Sequence, residues 1–347
     1  MHSTFFNLNS KVMKNYKNII GIDVSKLKLD VSIVIQSDAK QVTHFIVSND
    51  QKGIKQLAKE LSRLKFNLPD CLFCFENTGI YSMPLAYLFS KWHYDYCVIP
   101  ALEIKRSKGV SRGKTDKTDA KDIAIYALTH THKLQLSSIP EADIAKLSLL
   151  FTEREKIVKA IKLFETTNEN EAFIPKEITK VVLSNNKKTV LFLKKTLKEV
   201  EQKMKAIIEN NQQLKKQFDL ACSVPGVGQQ TATYLIIKTK SFTAFSNWRK
   251  LACYSGIAPF EYSSGSSVRA KTKVHNMADK KMKSMLNMCA LNSKKFDQEI
   301  SEYYTRKTAE GKNPMSVMNA VRCKVLSRVF ATVIRGTPYV NVKKHLS

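Results

Sequence analysis

The stretch NIIGIDVS, at residues 18–25, is followed by LDVSIVIQ at residues 29–36 and by HFIVSND at residues 44–50. Each stretch is rich in Ile and Val and is separated from the next by a short polar turn, which is typical of consecutive strands. A helical pattern from Ile54 to Leu64 follows, and strand and helix patterns then alternate up to Pro100. A three-strand meander before alternating helices and strands predicts an α/β sheet. The order is compatible with a ribonuclease-H-like fold and with other α/β folds.

The chain carries a large excess of positive charge. Among its 347 residues, 57 are Lys or Arg and 30 are Asp or Glu, a formal net charge of +27. Over half of this excess, a net +15, lies in residues 221–347, whereas residues 1–140 carry a net +8. An imbalance of this size is too large for an enzyme that handles neutral small molecules, and it indicates a polyanionic partner such as nucleic acid.

Several protein classes do not fit the sequence. No apolar run approaches the roughly 18 residues that a membrane helix needs, and residues 1–17 lack the apolar core of a secretory signal, so we expect a short leader there. The seven scattered cysteines are typical of reduced thiols in a cytoplasmic protein. Cys71 and Cys74 form a CxxC motif within a strand pattern, where positions i and i+3 face opposite sides, which argues against a zinc site.

The middle of the chain, residues 141–219, lacks strand alternation and is rich in Lys, Glu, Leu and Asn. A run with strict 4-3 spacing and one Asn at a core position favours a coiled coil, and the alternative is one amphipathic helix packed against its own domain. A helix at about residues 143–168 is the candidate antiparallel partner. The run consists of Leu193, Leu197, Val200, Met204, Ile207, Asn211, Leu214 and Phe218.

The last part of the chain opens with the motif PGVG between two helical stretches, the pattern of a helix-hairpin-helix. Gly226 and Gly228 would let backbone N–H groups approach a phosphate at the N-terminus of the next helix. With Pro225, they are candidate nucleic-acid contacts, and a plain corner between two helices is the alternative. Helical patterns dominate the rest, interrupted by a polar loop at residues 261–276.

Four carboxylates suggest a metal site. Asp23 lies within the first apolar strand and Glu76 ends a later one, and in a ribonuclease-H-like sheet these strands would be neighbours. Asp116 and Asp119 share one helix face and could close the site. Four carboxylates at one point repel unless divalent cations neutralise them, and hard oxygen ligands suit Mg²⁺, usually as two ions in phosphodiester chemistry. Taken singly, each acid has a simpler explanation as a turn, a cap or a helix N-terminal acid.

The sequence resembles the DEDD insertion-sequence transposases of the IS110 family, in motifs that follow the family's order from about Asn18 to Pro338. The DEDD motifs are matched by GIDVSK, ENTGIY and GKTDKTDAKDIA, at residues 21–26, 76–81 and 113–124. The family's C-terminal transposase domain is matched by segments at residues 223–232, 251–271 and 303–326. The combination is far more specific than any single motif.

The resemblance implies a division of the chain into a RuvC-like DEDD domain at residues 18–140, a helical coiled-coil region at 141–219 and a mostly helical C-terminal transposase domain at 220–340. It implies a DNA transposase or recombinase that excises and inserts its own element. The partners implied are donor and target DNA, a structured guide RNA encoded by the element, and further copies of the chain. The implied location is the bacterial cytoplasm, at the nucleoid when acting.

The resemblance also implies the site residues. The four acids fall on Asp23, Glu76, Asp116 and Asp119, which would bind Mg²⁺, and the family's nucleophilic serine falls on Ser264. A serine that attacks phosphorus needs its proton removed and the developing charge stabilised, and nearby bases and a metal would supply both. The basic side chains near this serine are Arg269, Lys271 and Lys273. The neighbouring hydroxyls are those of Ser263, Ser266 and Ser267.

Two other interpretations remain open at this point. A plain RuvC-like Holliday-junction nuclease would cut with metal-activated water, and the serine would then be structural. A non-catalytic nucleic-acid-binding protein would satisfy its acids with caps and salt bridges, and it would tolerate Asp23→Ala without loss of function.

Overall fold

The structure is a computed structural model that describes residues 13–107, 115–165, 173–264, 268–273 and 278–341. It divides into two compact units, Met1–Ile139 and Pro140–Ser347. The division falls between Ile139 and Pro140, next to the end of the first domain that the resemblance implies. The helical middle region belongs to the second unit and does not form a unit of its own.

The first unit is a five-stranded sheet with helices on both faces. Its strands are β1 (Asn18–Val24), β2 (Lys28–Ile35), β3 (Asp38–Ser48), β4 (Cys71–Glu76) and β5 (Tyr96–Ile99). Its helices are α1 (Gln51–Arg63), α2 (Met83–Lys91), α3 (Ala101–Ser107) and α4 (Asp116–Thr129). The strand order is β3-β2-β1-β4-β5, with the first three strands antiparallel and β4 and β5 parallel to β1. This arrangement confirms the ribonuclease-H-like fold, one of the α/β folds with which the meander is compatible, and with it the RuvC-like fold class that the resemblance implies.

Strand alternation gives the sheet two apolar faces. Ile20 and Ile22 of β1 pack into the core that α1 and α2 cover, whereas Ile19 packs into the core that α4 covers. Cys71 and Cys74 lie in these two different cores, as the strand pattern predicts. Odd-numbered residues of β1 therefore point toward α4.

The second unit is mostly helical and is built around one shared core. The unit begins with α5 (Ala142–Glu165), α6 (Lys176–Asn210), α7 (Gln212–Cys222), α8 (Gln229–Lys238) and α9 (Trp248–Tyr254). It continues with a hairpin of β6 (Phe260–Ser264) and β7 (Val268–Lys273), then α10 (Lys280–Phe296), α11 (Gln298–Ala309) and α12 (Pro314–Arg335). Helix α8 is buried at every residue from Thr231 to Ile237, which makes it the centre of the unit. No helix within the described ranges is long and apolar enough to cross a membrane.

Helices α5 and α6 form an antiparallel hairpin, so the partner helix expected from the sequence is confirmed. Asp143 accepts a hydrogen bond from Asn211 at 3.1 Å, and Arg154 pairs with Glu201 at 2.7 Å. Near the other end, Lys194 pairs with Glu165 at 2.7 Å. The apolar run of α6 packs into the core of its own unit, which is the alternative that the sequence left open.

The 4-3 run is not one helix, and the prediction that Asn211 is a coiled-coil core residue is wrong. Helix α6 ends at Asn210, and Asn211 leaves the helical conformation with φ −113° and ψ 105°. Its side chain accepts a hydrogen bond from the Leu214 N–H at 3.2 Å and so caps α7. Asn is favoured at this position because its side-chain oxygen satisfies an N–H that the first helical turn leaves unpaired.

Candidate active site

Two of the predicted acids lie at the carboxyl ends of two neighbouring inner strands of the sheet. The parallel register pairs Ile22 of β1 with Phe75 of β4. The next residue on each strand is an acid, Asp23 and Glu76, and both are partly buried. The two strands are neighbours, as the sequence analysis expected, and the two acids lie next to each other at the carboxyl ends of the strands.

Helix α4 supplies the other two acids in its first turn. Thr115 caps the helix by accepting a hydrogen bond from the Thr118 N–H at 3.2 Å. The Thr118 hydroxyl in turn accepts a hydrogen bond from the Thr115 N–H at 3.0 Å. This capping box fixes the start of the helix at Asp116. Asp116 and Asp119 therefore lie on the first turn, where acids are favoured by the helix dipole.

Gly21 brings α4 close to β1. An added Cβ at Gly21 would overlap the carbonyl oxygen of Ala120 and lie 2.5 Å from the backbone nitrogen of Ala124. Only a residue without a side chain allows this approach of helix to strand. Because Gly21 and Asp23 share one face of β1, the same approach brings the first turn of α4 toward Asp23.

Gly21→Ala is expected to lower the free energy of unfolding by about 1–3 kcal/mol and to reduce DNA cleavage severely, because α4 must move off the sheet. Thermal or denaturant unfolding and a cleavage assay would measure the two effects. Gly228→Ala is the control for unfolding, since an added Cβ there meets no atom within 4 Å. Equal stability of Gly21→Ala and wild type would show that α4 does not depend on this contact.

The electrostatics of Asp23 reflect both its burial and the negative charges of the nearby acids. Burial, followed by the nearby charges of Asp119, Asp116, Asp30 and Glu76 in that order of effect, raises the pKa of Asp23 to about 6. Carboxylates close enough to oppose each other's ionisation form one electrostatic cluster. Four of these acids were predicted from the sequence, and the structure adds Asp30 as a fifth.

The fifth acid, Asp30, was missed by the sequence analysis. It lies opposite Asp23 in the β1–β2 register and is 3% exposed. Lys28 pairs with Asp30 at 3.1 Å and with Asp116 at 2.7 Å, and His44 lies 3.2 Å from Asp30 on its other side. The sequence did contain a sign of this acid, because Asp30 lies within the apolar strand pattern LDVSIVI just as Asp23 lies within its own apolar strand pattern.

The donor set fits a hard divalent cation. All four family residues offer carboxylate oxygens. Burial first, and then the charges of neighbouring acids, raise the pKa of Asp23, and a bound cation would offset both effects. Among the described residues, no three His, Cys, Asp or Glu side chains converge closely enough to hold one ion. Asp116 instead contacts Lys28, which supplies the positive charge on that side of the cluster.

The expected polar loop of the second unit is partly a β-hairpin, which corrects that prediction. Its register pairs Ser264 with Val268 and Ser263 with Arg269. The alternation of small and β-branched residues with basic residues suits a strand better than the Ser and Gly content suggested. Lys271 and Lys273 follow at alternate positions of β7, while Gly265, Ser266 and Ser267 lie outside the described residues.

Asp279 ties the two ends of the hairpin segment together. Its backbone N–H donates to the Tyr254 carbonyl at 2.9 Å, and its carboxylate accepts from the hydroxyls of Tyr254 at 3.3 Å and Tyr234 at 3.0 Å. Burial, followed by the charge of Asp279, raises the pKa of Tyr254 to about 12, so this hydroxyl remains a donor at neutral pH. These hydrogen bonds join the end of α9, where the chain leaves the helical core, to the start of α10, where it returns.

The PGVG motif forms the turn between α7 and α8 that the sequence predicted. Gly226 has a φ of +88°, and an added Cβ would lie 2.5 Å from the carbonyl oxygen of Cys289 on α10. The Pro225 carbonyl accepts a hydrogen bond from the Ser293 hydroxyl at 2.6 Å. Pro225 and Gly226 pack closely against α10, whereas an added Cβ at Gly228 would meet no atom within 4 Å. A nucleic-acid role for the three residues stays a prediction.

Comparison with known proteins identifies relatives of the whole chain. A family model for the DEDD transposases of IS110 matches residues 20–170, and a second, the transposase IS116/IS110/IS902 family, matches residues 219–305. The pilin gene-inverting protein of Moraxella bovis is 24% identical over 328 residues, covering 93% of this chain and 98% of that protein. Its counterpart in Moraxella lacunata matches over the same length at the same identity.

Two further matches cover less of the chain. The insertion element IS110 uncharacterized 43.6 kDa protein of Streptomyces coelicolor is 30% identical over 117 residues, 34% of this chain and 29% of that protein. T. thermophilus RuvC, solved in complex with a Holliday junction substrate, matches 35% of this chain and 100% of its own at 13% identity, with a TM-score of 0.26. That low score supports no conclusion. The two family models together span about two thirds of the sequence. They cover the DEDD motifs and the segments at residues 223–232 and 251–271 in the order described above, and the chain therefore belongs to the IS110 family of transposases.

Proposed function

We propose that this transposase excises and inserts its own insertion sequence with two sets of catalytic groups. Asp23, Glu76, Asp116 and Asp119 bind Mg²⁺, as two ions, and Ser264 is the nucleophile. The observation that carries the proposal is the position of Asp23 at the end of β1 on a ribonuclease-H-like sheet, where burial and the charges of Asp119, Asp116 and Glu76 raise its pKa. The match of the C-terminal segment to the family supports the serine.

The proposed reaction conserves the phosphodiester bond energy. The Ser264 oxygen forms a bond to phosphorus, the bond from phosphorus to the sugar oxygen breaks, and the leaving oxygen takes up a proton. The serine proton passes to a neighbouring base, and rejoining reverses these steps with another strand end. When bound, Mg²⁺ neutralises charge on the scissile phosphate. The carboxylates hold their positions because α4 is fixed on Gly21 and capped at Thr115.

We propose donor and target DNA duplexes and a structured guide RNA as partners. The net charge of +27 supports polyanion binding, and both units carry part of the excess. Arg269, Lys271 and Lys273, with the turn at Gly228, are the proposed DNA contacts of the second unit. The +8 of residues 1–140 exceeds what a metal-binding domain needs and supports RNA binding there. Binding of both nucleic acids is expected to weaken steeply with salt.

Incubation of the protein with its element's DNA, a target duplex, Mg²⁺ and the element's noncoding transcript tests the proposal directly. Sequencing is expected to show precisely joined element–target products, which depend on both the transcript and Mg²⁺. Random RNA of equal length and excess EDTA are the controls. Full activity in EDTA would overturn the metal proposal, and equal activity with random RNA would overturn the guide proposal.

We also propose a homo-oligomer, a dimer or a tetramer, because recombination must hold two DNA duplexes at once. The first half of α6 supports this, since it exposes an apolar stripe at Ile178, Val181, Val182 and Phe192. Val181, 67% exposed, is on this stripe, and Leu191, 68% exposed, is off it. Sedimentation velocity of the full chain with DNA is expected to show at least a dimer. Val181→Asp should weaken the dimer and Leu191→Asp should not, while a monomer under all conditions would contradict the proposal.

A further inference from the structure

Lys28 and Asp30 lie beside the carboxylate cluster, yet neither is one of the four family acids. Asp30 is paired with Asp23 across β1 and β2. Lys28 precedes Asp30 by two residues on β2, so strand alternation places it on the same face of the sheet. This is the face that α4 covers, and Asp116 begins that helix.

One ammonium group joins the sheet to the helix. The Lys28 Nζ is 3.1 Å from the Asp30 Oδ2 and 2.7 Å from the Asp116 Oδ2. The two carboxylates differ in their surroundings, because the Asp30 side chain is 4% exposed and the Asp116 side chain is 52% exposed. Lys28 therefore has one buried partner and one partner in water.

The two ends of this bridge are held with different strength. A buried carboxylate that loses its counter-ion is left with a large desolvation penalty, so Asp30 retains Lys28. His44, 3.2 Å from the other oxygen of Asp30, adds a second buried contact. The pair with Asp116 is screened by water and is the weaker one. A competing cation would take Asp116 first and leave the pair with Asp30 intact.

We infer that Lys28 is a resident counter-ion of the carboxylate cluster, which holds Asp116 until a divalent cation binds and then stays on Asp30. The inference rests on the proposed metal role of Asp116. Lys28 is a positioning residue. It keeps the first turn of α4 against the sheet while the cluster is empty of metal, and it competes with the metal for one ligand.

Mn²⁺ binding to the full chain, read from the electron paramagnetic resonance signal of the free ion, tests this inference without any activity assay. Lys28→Met is expected to tighten Mn²⁺ binding about tenfold, because Asp116 is released and a positive charge is removed. Lys28→Arg should weaken it, since a guanidinium can hold both carboxylates at once. Lys26→Met is the control, because Lys26 is an exposed lysine in the turn just before β2, and it should change the affinity about twofold at most.

Thermal unfolding gives an independent measurement on the same proteins. Without metal, Lys28→Met should melt below wild type, and saturating Mn²⁺ should narrow that difference, because wild type has then already given up the contact with Asp116. Two results would overturn this inference and leave the proposed metal site standing. One is a difference in melting temperature that Mn²⁺ does not change, and the other is Mn²⁺ binding by Lys28→Met that is no tighter than that of wild type. Absence of Mn²⁺ binding by wild type would overturn the proposed metal site and this inference with it.

Discussion

Replacing Ser264 with Ala is expected to remove both the covalent protein–DNA adduct and the recombinant product, by on the order of 10³-fold or more. The hydroxyl oxygen is the atom that becomes bonded to phosphorus in the proposed reaction, and Ala has no substitute for it. DNA binding should stay close to that of wild type, because one hydroxyl contributes little to a contact dominated by charge. A denaturing gel with end-labelled DNA and Mg²⁺ would show the adduct and its loss.

Ser263→Ala is the matched control, one residue away on the same strand. It should be milder, because the family pattern places the nucleophile directly before Gly265. The register pairs Ser263 with Arg269, so Ser263 is the competing candidate that the gel must exclude. An adduct that survives in Ser264→Ala and vanishes in Ser263→Ala would move the nucleophile one residue back. Clean cleavage with no adduct in any of the proteins would favour a junction nuclease that uses water.

Asp23→Asn is expected to abolish strand cleavage and at the same time to stabilise the metal-free protein at neutral pH. The pKa of Asp23 is raised from 3.8 to about 6 in the folded protein, so the folded state binds this proton more tightly than the unfolded state. The stability that Asp23 contributes is therefore fully present below pH about 4 and is lost as the pH rises through about 6. Asn carries no charge and avoids that loss.

The expected gain is about 1 kcal/mol in the free energy of unfolding at pH 8, after allowance for solvent at a half-buried carboxyl, and none at pH 3.5. Urea unfolding in EDTA at both pH values would measure it. Asp70→Asn is the control with the opposite sign, because a hydrogen bond from Lys17 lowers the pKa of Asp70 and removing that acid should destabilise the fold at pH 8. A loss of stability in Asp23→Asn at pH 8 would show that the acids do not oppose one another.

The sequence predicted the sheet well, because its strands follow local patterns. Alternating Ile and Val identified β1, β2 and β3, and the position of Asp23 within an apolar strand marked it as unusual. The same test applied to Asp30 would have found the fifth acid. Its partner Lys28 could not be assigned, since a lysine at the start of a strand is ordinary and only the position of α4 gives it a second carboxylate.

Other features depend on contacts between distant segments. The role of Gly21 is set by α4, which begins almost a hundred residues later, and no local pattern reveals it. Asn211 satisfied the 4-3 spacing, yet its capping ability and its contact with Asp143 ended the helix there. Spacing alone cannot distinguish a core Asn from an Asn that starts the next helix.

The central position of β1 has a consequence for the order in which the protein is made. The meander of β1, β2 and β3 can pair as soon as residue 48 has been synthesised, since its contacts are local. β4 must then reach back to β1, and α4 must cover Gly21 later still. A growing chain on the ribosome thus holds Asp23 and Asp30 in place long before Asp116 and Asp119 arrive. It has no complete carboxylate cluster until synthesis has passed Thr129, and it lacks the proposed nucleophile until Ser264 has been added.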